Sequence, residues 1–181
     1  MAISIKLEGI GVVDQALKQL AIDIGDKKAN SKVLVPAVRE AIAPVLASAR
    51  GNAPVDTGGL ALSLQIEARR PTKRDRRSKY ITETDTVIAT VTTASGKKLK
   101  QMSTGKGLEQ SRKRLKKMGV AGWQNFTGIA SDARAVAQEF GSAHNPAHPY
   151  LRPALESNAT NVVQRLSAIL ARKISEYRMK K

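Results

Sequence analysis

Asp56, Thr57 and Gly58 form the triplet that aspartic proteases carry in two loops, so that two carboxylates share one proton. The chain has one copy, placed after an expected helix and a Pro54-Val55 turn, and a partner chain would have to supply the second. A structural turn in which Asp56 caps the local backbone is the simpler expectation. His144 and His148 stand four apart, but Pro146 lies between them and Pro149 follows, which forbids the helix that would bring i and i+4 imidazoles to one metal. Thr104-Gly105-Lys106-Gly107 has the feel of a phosphate loop, yet the first glycine of that pattern would fall at Lys100 and no Ser or Thr follows Lys106. The chain contains no Cys, which excludes disulfides, thiolate zinc, iron-sulfur clusters and thiol nucleophiles. The scattered acids Glu67, Asp85 and Glu139 assemble no nucleophile, base and electrophile set. No catalytic residue, metal or cofactor is expected, and the chain is not expected to be an enzyme.

The elements that would carry these residues follow from periodicity. Residues 4–9 alternate Ile5 and Leu7 with polar neighbours, a short strand ended by Gly9. From Asp14 as N-cap, Leu17, Leu20 and Ile24 recur at helical spacing until Gly25. Residues 31–50 predict a second helix, with Ser31 as N-cap, Gly51 as stop, and a stripe of Leu34, Val35, Val38, Ile42, Val45, Leu46 and Ala49; Pro44 inside it predicts a kink. Leu60, Leu62, Leu64 and Ile66 alternate with Ala61, Ser63, Gln65 and Glu67, which predicts a strand with the leucines on the core face and Ala61 outside. Residues 81–93, rich in Thr, Val and Ile, predict a strand or hairpin. Residues 133–140 predict a strand ended by Gly141, and residues 142–149 a proline-bearing loop. The last helix starts with Pro153 in its first turn and carries Leu155, Ala159, Val162, Val163, Leu166, Ile169, Leu170, Ile174 and Tyr177 at spacings of three and four, with cations at its end. The expected fold is α+β: one domain, 1–181, with a small antiparallel sheet, two N-terminal helices and a long C-terminal amphipathic helix.

Charge is distributed unevenly over this frame. The 181 residues carry 31 Lys and Arg against 15 Asp and Glu, a net charge of +16. Residues 69–79 hold Arg69, Arg70, Lys73, Arg74, Arg76, Arg77 and Lys79 with one acid. Residues 97–117 hold Lys97, Lys98, Lys100, Lys106, Arg112, Lys113, Arg114, Lys116 and Lys117 with one acid. Together the two blocks account for +14, so a nearly neutral body bears two basic insertions, expected as solvated loops that contact a polyanion or an acidic protein. Single-strand binding on stacked aromatics is disfavoured, because only six Phe, Trp and Tyr are present. Lys6 and Glu8 interrupt any apolar signal segment, and the longest apolar stretches are far too short to span a bilayer, so a cytoplasmic start and no membrane partner are expected.

Three anchors in order, N-A-P-V-D-T-G-G-L at 52–60, Q-E-F-G-S at 138–142 and H-P-Y-L-R-P-A-L at 148–155, follow an opening I-K-L-E-G-I at 5–10. In this arrangement the chain resembles the tail-component family of long-tailed bacteriophages, the tail-completion or neck proteins of the head-tail junction. The resemblance covers residues 1–68 and 132–178; the two basic blocks depart from it. It implies a structural virion protein, made in the host cytoplasm and built into a hexameric ring around the DNA channel. Head-closure, tail-terminator or tape-measure proteins would be its partners, with channel DNA as a further contact. It also implies that Asp56, Thr57, Gly58, Glu139, Phe140, Gly141, Leu151, Arg152 and Pro153 serve as scaffold and interface positions. A ring subunit needs complementary surfaces and no catalytic cleft. Basic segments on a neutral body also suit a freestanding nucleic-acid binder of the RNA or DNA chaperone type.

Overall fold

The computed structural model describes residues 29–54, 58–78, 86–128 and 132–179, together with Gln15, Lys18, Ile22 and Ile81. The strand expected at 4–9, the residues Asp56, Thr57, Lys79 and Asp85, and most of the helix expected from Asp14 lie outside them; Gln15, Lys18 and Ile22 are helical. The fold is α+β. A π-helical stretch Asn30–Leu34 leads into α1 (Val35–Ala41) and α2 (Ala43–Asn52), followed by a five-residue helix α3 (Gly59–Ser63) and strand β1 (Leu64–Arg69). Strand β2 (Ile88–Thr93) pairs with β1 in a two-stranded antiparallel sheet. Helices α4 (Gly96–Met102), α5 (Gly105–Lys117), α6 (Asp132–Phe140) and the 29-residue α7 (Leu151–Met179) complete the described chain.

Pro44 acts where the sequence places it. The helix is interrupted at Ile42, whose N–H still reaches the Val38 carbonyl at 3.1 Å, and Pro44 falls in the first turn of α2, where its missing donor leaves no gap. The boundaries differ from expectation. Ser31 lies inside the π-helical stretch, past its first residue, and Gly51 stays helical. The stop comes at Ala53, which still donates to Ala49, and at Pro54, which has no N–H to offer. The buried positions are Val33, Ala37, Ala41, Ile42, Val45, Ala49 and Ala53; Ile42, Val45 and Ala49 belong to the expected stripe, whereas its Leu34, Val35, Val38 and Leu46 are half-buried.

Two expected strands are partly or wholly helical. Residues 59–63 form α3, so only Leu64 onward is extended, and Ala61 is as buried as Leu62; a carboxylate at Ala61 would not be tolerated. The cause lies in the surroundings. Gly58 takes φ +70°, and a Cβ there would meet Leu115 Cδ2 at 2.7 Å, so the chain enters α3 through a turn that only glycine fits. Arg50 then holds the other end, donating from Nε to the Ala61 carbonyl at 3.2 Å and from Nη2 to the Leu64 carbonyl at 2.8 Å. Residues 132–140 form α6, with Ala135 and Glu139 buried one turn apart; Gly141, at φ +82°, ends it and donates to the Ala137 carbonyl at 2.8 Å.

By internal contacts the chain divides into two units. One comprises Met1–Pro44, Ile66–Thr90 and Asn158–Lys181, the other Val45–Gln65 and Val91–Ser157. In the first, Ala37 and Ala41 of α1 pack on Ile169 and Leu170 of α7, flanked by Leu34, Val162 and Leu166. Glu40 closes the edge of this contact with Arg172 and Lys173; their hydrogen bonds hold its carboxyl below the usual range. In the second, Leu62, Leu115 and Phe126 form a core with Met102, Leu108, Val120 and Trp123 around it. Leu155, expected on the apolar stripe of α7, is exposed; the buried residue of that turn is Ala154.

Candidate functional site

The basic block at 69–79 is organised by its one acid. Asp75 accepts the Thr72 N–H at 2.7 Å and the Thr72 hydroxyl at 2.6 Å, and receives both Nη1 and Nη2 of Arg69. Arg69 also reaches Glu67 Oε1 through Nε at 2.6 Å. The Arg69 guanidinium, then the Thr72 donors, hold the Asp75 carboxyl far below the ordinary carboxylate range, and the same two acids raise the guanidinium. A 3-10 turn, Asp75–Arg77, follows. Residues 69–78 of this block form a folded turn rather than a structureless loop, with Arg70, Lys73, Arg74 and Arg77 exposed around it.

The block at 97–117 departs further from expectation, since it consists almost entirely of α4 and α5. Leu99, Ser111 and Leu115 are buried, and Leu108 packs against the Leu62, Leu115 and Phe126 core. The α4–α5 junction is close: a Cβ on Gly107 would stand 1.9 Å from the Gln101 carbonyl oxygen, so the first turn of α5 sits directly on that backbone. Ser111 Oγ donates to the Met102 carbonyl at 2.8 Å and Arg112 Nε to the Phe126 carbonyl at 3.0 Å, which tie the inner face of α5 in place. Thr104-Gly105-Lys106-Gly107 is this helix junction and makes no phosphate loop.

The cations of the second block fall into two classes. Arg112 points inward, Lys98 donates to Gln65 Oε1 at 2.6 Å, and Lys116 lies over the Trp123 ring at 5.4 Å. Lys106, Lys113, Arg114 and Lys117 are exposed, and among the described residues none is paired with a carboxylate. At 3.6 residues per turn, Lys106, Lys113 and Lys117 fall within about 40° of one another, a cationic ridge about 17 Å long. Lys97 and Lys100 are exposed on α4. Burial, then the charge of Arg114, lowers the pKa of Arg50.

The second and third anchors meet at Glu139. Its Oε2 accepts the N–H of Tyr150 at 2.8 Å and of Leu151 at 2.9 Å, and Oε1 accepts that of Arg152 at 3.1 Å. Pro153 has no N–H, so one carboxylate from α6 caps the first turn of α7. Burial, then the neighbouring Glu139 charge, pushes the Tyr150 phenol up to about 12. Above this joint opens a cleft of about 420 Å³ whose lining includes Val91, Val136, Phe140, Tyr150, Leu151 and Leu155. Val136, Phe140 and Leu155 are 56, 67 and 52% exposed, so its rim is apolar and uncovered. The strand expected at 133–140 conceals this feature: a strand would hold Val136 and Phe140 about 13 Å apart, whereas the helix stacks them one turn apart, about 6 Å. Gly58 belongs to a different corner, against Leu115 and Val120.

His144 and His148 are exposed in the loop after α6. Among the described residues no three His, Cys, Asp or Glu side chains gather as metal ligands, and no helix is long and apolar enough to cross a membrane. Compared with protein-family models, curated proteins and solved structures, the chain matches none.

Proposed function

We propose that the chain is a structural subunit of a long-tailed bacteriophage neck, a tail-completion or head-tail joining protein that assembles as a sixfold ring around the DNA channel. The motif resemblance supplies the identity of the assembly. The observation that carries the role is the apolar rim of Val136, Phe140 and Leu155, built on the Glu139 joint between two of the family-like anchors. Large side chains left half exposed around one cleft are the mark of a surface that another protein covers. A neighbouring copy in a head-to-tail ring is the occupant this reading assigns, with head-closure, tail-terminator or tape-measure proteins above and below. Self-repulsion at +16 per chain keeps isolated subunits apart until those partners are present.

Electron microscopy of particles made with and without the chain tests the reading. Separate heads and tails are expected in its absence, and a ring at the junction in its presence. Phe140→Asp with Leu155→Asp, both on the exposed rim, should leave the isolated subunit folded and abolish joining. Normal tailed particles without the chain would overturn the proposal. The exposed ridge of α5 also suits a freestanding nucleic-acid binder, for which the chain would be missing from purified particles.

A further inference from the structure

We infer that the outer face of α5 binds the phosphate backbone of duplex DNA without reading its sequence. The two basic blocks are not equivalent in this respect. In the first, Arg69 is already engaged by Glu67 and Asp75, and the block is partly neutralised from within. In the second, Lys106, Lys113, Arg114 and Lys117 stand on a helix whose opposite face is fixed by Leu115, Ser111 and Arg112. The cations are therefore held at set spacings before any ligand arrives, and the ordering loss on binding is small.

The type of polyanion follows from what else the face contains. A protein partner needs apolar or aromatic anchors that lose water at the centre of the contact. Between Lys106 and Lys117 the exposed side chains are Glu109, Gln110, Lys113, Arg114 and Lys116, with no apolar one among them. Phosphate binding needs no such anchor, since it is driven by release of condensed counterions. Single strands are bound by stacking bases on aromatic rings, and of the rings beside α5, Phe126 is fully buried and Trp123 is half-buried with Lys116 over it. Lysines act as point charges that follow a phosphate row and discriminate little between bases. The choice of DNA as the natural polyanion rests on the neck reading, whereas the binding measurement does not.

The test is fluorescence anisotropy of the full chain with a short labelled duplex of mixed sequence, from about 50 to about 200 mM salt. Engagement of the ridge should give a slope of log affinity against log salt of about −4, at roughly −0.9 per phosphate contact. Lys106→Gln/Lys113→Gln/Lys117→Gln should flatten the slope by about 2 to 3 and weaken binding at least tenfold, with an unchanged circular dichroism melt because glutamine keeps the helix. Lys73→Gln/Arg74→Gln/Arg77→Gln should lose much less. Equal loss from both variants, no loss from the α5 variant, tighter binding of the single strand, or displacement of duplex by polyglutamate at equal charge would each overturn the inference. Duplex binding of the expected kind by a chain missing from purified particles would retain it and overturn the neck reading; ring assembly without duplex binding would do the reverse.

Discussion

The stretch around Asp75 and the stretch from Lys97 to Lys117 are both dense in Lys and Arg, yet different forces organise them. Around Asp75 there is almost no apolar side chain to bury, and the chain turns because one carboxylate gathers the Thr72 donors and the Arg69 guanidinium. Between Lys97 and Lys117, Leu99 of α4 is buried and Leu108 and Leu115 supply the apolar face of α5, so that hydrophobic burial holds the α5 ridge of cations on the opposite side. Like charge is therefore compatible with regular structure when every third or fourth residue can be buried. The same separation tells which cations are available to a partner: those on the back of a packed helix, more than those drawn into a turn.

If burial organises the second block, removing it should have the largest effect. Leu115 is fully buried, and Leu115→Ala should destabilise the chain by about 2 to 5 kcal/mol in urea denaturation, with loss of helical circular dichroism. Gly107→Ala comes next, at about 1 to 3 kcal/mol, because the new methyl group collides with the Gln101 backbone and has no flexible neighbour to displace. Arg112→Gln should cost about 1 kcal/mol through the lost bond to the Phe126 carbonyl, whereas Lys113→Gln, one residue on, should stay within about 0.5 kcal/mol of the parent. A pair with equal costs would mean that the inward and outward cations are not distinct.

The first block should show its character in pH dependence. Asp75 has a folded-state pKa depressed below its unfolded value, so its contribution is present above the ordinary carboxylate range and is lost as pH falls toward the depressed value. Melting temperature should fall on acidification below about pH 4, and Asp75→Asn should lower the melting temperature at neutral pH and remove the matching part of that acid limb. Glu40 contributes with the same sign, held by Arg172 and Lys173, so Glu40→Gln serves as the comparison. An acid limb identical in the parent and Asp75→Asn would show that the turn is not organised by its acid.

Local chemistry dictates a good part of this fold on its own. The long α7 with Pro153 in its first turn, the interruption at Pro44 and the stop at Gly141 all follow from which residues lack a donor, restrict φ or permit positive φ, and these properties need no neighbours. The concentration of charge in two blocks is likewise a property of the chain as written. Short apolar runs are different. Leu60, Leu62, Leu64 and Ile66 fit a strand, but Leu60 and Leu64 are also one helical turn apart, and Arg50, Gly58 and the Leu115 side chain decide that residues 59–63 are helical. In Ala133 to Phe140 the deciding contact is the Glu139 carboxylate with three N–H groups more than ten residues away. Periodicity over five to eight residues leaves two backbone states close in energy, and a few long-range hydrogen bonds and one core leucine are enough to choose between them.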